Sequence, residues 1–149
     1  MSFRSMLTSL VERVSGARGA VFCDHEGEAV EVVIRDAALS EYEMKVVGAQ
    51  LAAVWLDLTA SAQEHGAGAL IELRLGCSAG TLLCRSLPEG YYVVLLVGIG
   101  IPGAPAAFAL RSAFTSRGRR KPLSRGRGRR LSRGRGRRLS DCVFRLYRS

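Results

Sequence analysis

Catalytic and metal-binding side chains are scarce in this sequence. There are two histidines, His25 and His65, and four cysteines, Cys23, Cys77, Cys84 and Cys142. No two cysteines form a C-x-x-C pair, and no histidine stands at a ligand spacing beside them, so no zinc site is expected. The histidines read as solvated residues of a turn and a helix end. Asp24 and Glu26 flank His25, but at a hairpin tip without a convergent nucleophile, and a general-base role has no support. The N-terminus lacks the apolar run and small-residue cleavage site of a signal peptide. A cytoplasmic chain with free thiols is therefore expected, although Cys77 and Cys84 could also face each other across a hairpin.

Charge is missing from the whole stretch between Glu89 and Arg111. That length would span a bilayer. Gly98, Gly100, Pro102, Gly103 and Pro105 interrupt it, however, and its first half is the β-favouring run Tyr91 to Val97. A buried strand, a glycine turn and a short helix fit better than a membrane span. Gly98-Ile99-Gly100-Ile101-Pro102-Gly103 matches G-x-G-x-x-G, but the next acid is Asp141 and no βαβ unit follows, so the motif reads as a turn and not as a dinucleotide site. A Walker A lysine motif is also missing, so the chain itself is not expected to bind GTP. No cofactor, metal or catalytic residue is expected, and an enzyme is the least favoured class.

What is present divides into two regimes. Residues 1–110 hold 7 basic and 12 acidic side chains, whereas residues 111–149 hold 15 basic and 1 acidic. The net charge of +9 is thus a mildly acidic body joined to a polycationic tail. The expected division is a domain over 1–113 and an Arg/Gly/Ser-rich tail over 114–149. In the tail an eight-residue unit recurs: SRGRRKPL from Ser116, then SRGRGRRL from Ser124 and again from Ser132. Apolar residues are too sparse there for a core, so disorder is expected. Arg125, Arg127, Arg129, Arg130, Arg133, Arg135, Arg137 and Arg138 form a candidate polyanion-binding set, for nucleic acid or anionic membrane, acting without sequence readout. Arg129-Arg130-Leu131-Ser132 and Arg137-Arg138-Leu139-Ser140 also resemble basophilic kinase substrates, where a phosphate would cut the local charge. Two identical copies are also what a duplicated stretch of DNA or a shifted reading frame would leave.

The body reads as helix, two strands, long helix, three strands, helix. Ser2 to Val14 has helical apolar spacing. Gly19 to Asp24 and Glu28 to Ile34 flank a turn at Gly27, and the inner face of the second strand is not obvious. Ser40 and Glu43 stand as a capping box before a helix that runs to about Gln63. Leu70 to Leu75, Thr81 to Leu87 and Tyr91 to Val97 make a meander, the first of them half-exposed, and Pro105 to Ala113 is a last helix. The fold class is α+β, with helices packed on an antiparallel sheet. The central helix carries two apolar stripes. One is Met44, Val47, Leu51, Val54, Trp55 and Leu58, suited to a sheet. The other is Leu39, Tyr42, Val46, Ala49, Ala53 and Leu56, separated from the first by Gly48 and Ala52 along one edge. Its small residues suit a second helix, either of this chain or of a second copy about a two-fold axis. Tyr42, Val46, Ala49, Ala53 and Leu56 are thus the candidate dimer or partner interface.

The opening Gly16-Ala17-Arg18-Gly19-Ala20-Val21-Phe22-Cys23-Asp24-His25-Glu26-Gly27 resembles the G-x-x-G-A-x-x-x-D-x-E-G hairpin of the roadblock, or dynein light chain, family. The capped central helix and the element order resemble it too, over about residues 1–113. The resemblance implies a five-stranded sheet with the long helix on one face and the terminal helices on the other. It also implies homodimers or heterodimers with paired long helices, and partnership with small Ras-like GTPases or motor complexes. The leading expectation is a non-enzymatic adaptor that activates or scaffolds a small GTPase. The alternatives are a polyanion binder acting through the tail, with the body as dimeriser, and a small-molecule sensor, against which no polar cluster faces an apolar pocket.

Overall fold

The structure, a computed structural model, describes residues 2–115. Expectations for residues 116–149, including the repeats and the eight tail arginines, lie outside the described residues. Helix α1 spans Phe3–Arg13 and starts at Ser2, whose hydroxyl accepts a hydrogen bond from the Ser5 amide. Strands β1 (Ala17–Cys23) and β2 (Ala29–Ile34) form a hairpin. At its tip Asp24 Oδ1 accepts from the amides of Glu26 and Glu28, and Gly27 adopts φ +89°, a conformation that favours glycine. Helix α2 spans Glu41–Glu64, followed by β3 (Glu72–Cys77), β4 (Gly80–Ser86), a short turn at Pro88–Gly90, β5 (Tyr92–Val97) and α3 (Gly103–Thr115). The last helix runs past residue 113.

The five strands are antiparallel in the order β2-β1-β5-β4-β3. Alternation along each strand sends side chains to both faces. Ala20, Phe22, Leu83, Val93, Leu95 and Val97 point to the side covered by α1 and α3. Val21, Cys23, Cys84, Tyr92 and Val94 point to the side of α2. The β2 ambiguity resolves in the same way: Val32 joins the α2 side and Val33 the other, so both faces of this strand are covered. The run Tyr91 to Val97 holds the central strand β5, which starts one residue later at Tyr92, and among the described residues no helix is long and apolar enough to cross a membrane. The glycine motif after β5 is a turn, with Gly100 at φ +75°. Both neighbours of β5 are antiparallel to it, so the motif lies outside any parallel βαβ unit.

The capping box of α2 is complete. The Glu43 amide donates to the Ser40 hydroxyl, and the Ser40 amide donates to Glu43 Oε2 at 2.7 Å. That backbone bond, with the Ser40 hydroxyl, holds the Glu43 carboxyl below its ordinary range. Replacing Ser40 by alanine is expected to lower stability by about 1 kcal/mol, read as a shift in urea midpoint. An unchanged midpoint would contradict a structural role for the cap.

Candidate interaction surface

Helix α2 is positioned by a close approach to the sheet. Gly48 lies over β1, where a Cβ would stand 2.6 Å from Cys23 Sγ and 3.3 Å from Val21. The Tyr92 hydroxyl donates to the Gly48 carbonyl at 3.0 Å, fastening the same turn to β5. Ala52 packs against Gly27 of the hairpin. The buried line of α2 is therefore Met44, Gly48, Leu51 and Ala52, with Trp55 half-buried beside it. Of the expected sheet-facing stripe, Met44, Val47, Leu51 and Trp55 pack into this core and Val54 does not. Gly48 and Ala52, read as a separating edge, make the closest contact, and Val54 is 41% exposed. A missing side chain lets backbones approach, so the helix brings Gly48 and Ala52 to the sheet beside Met44, Leu51 and Trp55 and leaves Val54 outside.

The second stripe faces outward. Tyr42 and Leu56 are 75% and 62% exposed, Ala49 and Ala53 are exposed, and Val46 is half-buried. These five residues recur at alternating steps of four and three, the spacing of a seam between two helices. Leu39, expected in this stripe, precedes the helix and packs into the α2-side core. No helix of the same chain covers the stripe among the described residues, because α1 and α3 lie on the opposite face of the sheet.

The sheet itself adds to this surface, in a way that the sequence reading missed. A helix about 10 Å across covers roughly two strands spaced about 4.8 Å apart. The α1/α3 face has two helices: α1 packs on β1 and β2, and α3 on β4 and β5. Among the described residues the opposite face has only α2, packed on β1 and β2. Leu73, Leu75, Leu82 and Leu96, on β3, β4 and β5, are left half-buried there. Their signal was the alternation of Leu73 and Leu75 with Glu72 and Arg74. It marked β3 as half-exposed without saying which half; Glu72 is the better covered end, its side chain only 16% exposed beneath Arg111 of α3.

No group of three or more His, Cys, Asp or Glu converges among the described residues. A cleft of about 200 Å³ beside α2 is lined by residues that include His25, Trp55, Thr59 and Tyr92. Cys84 pairs with Leu73 in the β3–β4 register and Cys77 with Gly80, so Cys77 and Cys84 do not face each other. Burial pushes the Cys23 thiol up to about 11 and the Cys84 thiol up to about 12, from an ordinary 9.0. Alkylation of the folded chain at mildly alkaline pH is expected to modify the exposed Cys77 and spare both buried thiols, with peptide mapping as the readout. In the unfolded chain these thiols ionise above about 9, while in the folded chain they stay protonated. Stability is therefore full below that pH and falls as pH rises toward the folded values. A urea midpoint that rose over this range would contradict the burial.

No family model matches the sequence, and no curated protein does. Solved structures do match. A Roadblock/LC7 domain from Streptomyces avermitilis gives a TM-score of 0.69 at 15% identity, over 78% of this chain and 94% of that one. An MglB structure described as a tetrameric arrangement gives 0.67 at 17% identity, over 75% and 82%. The gliding protein MglB of Thermus thermophilus gives 0.59 at 19% identity, over 76% and 91%. At these identities the likeness is one of fold. With the sheet order, the long capped helix on one face and the helix pair on the other, it establishes that residues 2–115 have a roadblock-like fold.

Proposed function

We propose that this chain is a non-enzymatic dimeric adaptor of the cytoplasm that binds and regulates a small Ras-like GTPase, as activator or scaffold. The observation that carries the dimer is the α2 face: an outward apolar stripe beside a half-sheet that no second helix covers among the described residues. A second copy of α2, related by a two-fold axis near Ala49 and Ala53, supplies that cover. The small residues at the axis permit close approach, and Tyr42 then lies toward Leu56 of the partner subunit. A structure of similar fold described as tetrameric is consistent with self-association on this architecture. The GTPase as partner rests on the resemblance to roadblock domains and on the likeness to MglB structures.

The test is a titration of the full chain into the Ras-like GTPase encoded nearest to its gene, loaded with GDP or with a GTP analogue. Tighter binding to the analogue-loaded form is expected, with hydrolysis rates then separating activator from scaffold. Equal, negligible binding to both forms would contradict the regulator reading.

A further inference from the structure

The cleft beside the second half of α2 contains a hydroxyl without a partner. Trp55, Leu56 and Thr59 of the helix line it together with His25, Ser86 and Tyr92. Its volume is about 200 Å³. A cavity of about 150 Å³ holds a benzene ring, so the space suits one aromatic side chain. Two of the lining hydroxyls are engaged: Tyr92 donates to the Gly48 carbonyl at 3.0 Å, and Ser86 to the Ile71 carbonyl at 3.4 Å. Thr59 Oγ1 is buried and has no hydrogen-bond partner among the described residues. A buried hydroxyl left unpaired is costly, and folded proteins supply a partner for nearly all of them. At the other end of α2, Tyr42 is 75% exposed. Its ring is large and apolar, and its hydroxyl seeks a partner when buried. Tyr42 and Thr59 are 17 residues apart on one helix, about 25 Å, so they do not meet within one chain. In an antiparallel pair they do. Tyr42 lies seven residues before Ala49, and Thr59 six residues after Ala53. A two-fold axis midway between the alanines therefore brings them level to within about 1.5 Å along the helices.

We propose that the partner's Tyr42 fills this cleft and pairs its hydroxyl with Thr59 Oγ1, so that each copy of the chain completes the cleft of the other. The inference rests on the α2 dimer proposed above, and it names the residues that fix the direction and register of that dimer. Leu56 belongs to both the outward stripe and the cleft, so the two surfaces are continuous. Thr59 Oγ1 is closed to solvent in the isolated subunit, and its engagement takes a turn about χ1, for which threonine in a helix has two favoured positions. By symmetry two rings are buried and two hydroxyls paired at once, one at each end of a stripe whose middle is alanine. An aromatic anchor in a pocket carries far more binding energy than the small residues between the anchors. A parallel or slipped pairing would leave both rings in water and both Thr59 hydroxyls unpaired.

The experiment is a double-mutant cycle on the full chain, with the dimer dissociation constant read by fluorescence-detected sedimentation. Tyr42→Phe and Thr59→Val each keep the shape of the side chain and remove one hydroxyl. Each is expected to weaken the dimer about tenfold, since two hydroxyl pairs are lost per dimer. The double variant is expected to be no weaker than either single one, because the second hydroxyl then has nothing left to pair with. Tyr42→Ala, which empties the cleft, is expected to weaken the dimer about a hundredfold or more. Thermal melts of each variant separate dissociation from unfolding. Dissociation constants unchanged in Tyr42→Phe and Thr59→Val, or losses that add in the double variant, would overturn the proposal and leave the dimer itself standing. A monomeric wild-type chain would contradict the dimer and this inference with it. Thr59→Val that keeps the dimer at full strength but loses the GTPase would assign the cleft to the GTPase and likewise overturn the proposal.

Discussion

Replacing Ala53 by glutamate is expected to turn the proposed dimer into a monomer. Ala53 is exposed on the outward seam of α2, between Ala49 and Leu56. In the proposed dimer it lies near the two-fold axis, where two approaching helices leave no room for a long side chain. A two-fold axis also brings any introduced charge close to its own copy. Leaving such charges buried and unpaired costs about 3–5 kcal/mol, more than two orders of magnitude in dissociation constant. Sedimentation velocity would read the change as a fall in mass from dimer to monomer. In the isolated subunit the same position faces solvent, so the domain should keep its fold, and circular dichroism separates dissociation from unfolding. A dimer of unchanged mass would place the interface elsewhere than on this seam.

The largest loss of stability is expected from Phe22→Ala. Phe22 is 1% exposed near the end of β1, and its ring stacks against both Phe3 of α1, at 4.3 Å, and Tyr91, at 5.3 Å. Truncation removes the aromatic contacts and leaves a cavity between β1 and α1, which the well-packed surroundings fill only in part. The cost is about 3–5 kcal/mol, a large share of the total for a domain of this size. Chemical denaturation of the full chain checks it. A loss below about 1 kcal/mol would mean that the α1 side of the sheet is loosely packed, contrary to the burial of Leu7, Leu10, Val93 and Leu95.

Much of this fold was legible in the sequence because its local signals agree. The Ser40/Glu43 box fixed the start of α2, Gly27 the hairpin, and the uncharged run Tyr91 to Val97 the central strand. That Tyr42, Ala49, Ala53 and Leu56 share one side of α2 was legible too, because alanines flanked by Tyr42 and Leu56 stand out on a helical wheel, and all four are exposed. The rotation of α2 was not. Hydrophobic size favours Val54 over Gly48 as a contact, but helix–sheet distance is set by Gly48 against Cys23, a tertiary event with no local signature. The bare half of the sheet was hidden for a similar reason. It depends on α2 lying over β1 and β2 rather than β4 and β3, which follows from strand order and not from strand pattern. The cleft at Thr59 joins residues from α2, the hairpin tip, β4 and β5, so sequence spacing could not assemble it.

Size-exclusion chromatography with light scattering on the full chain, alone and mixed with the analogue-loaded GTPase encoded nearest to its gene, tests the central claim most directly. The account predicts twice the chain mass of 16.1 kDa for the protein alone and a heavier complex with the loaded GTPase, but not with its GDP form. A monomer at every concentration, or a dimer indifferent to the nucleotide state of the GTPase, would contradict it.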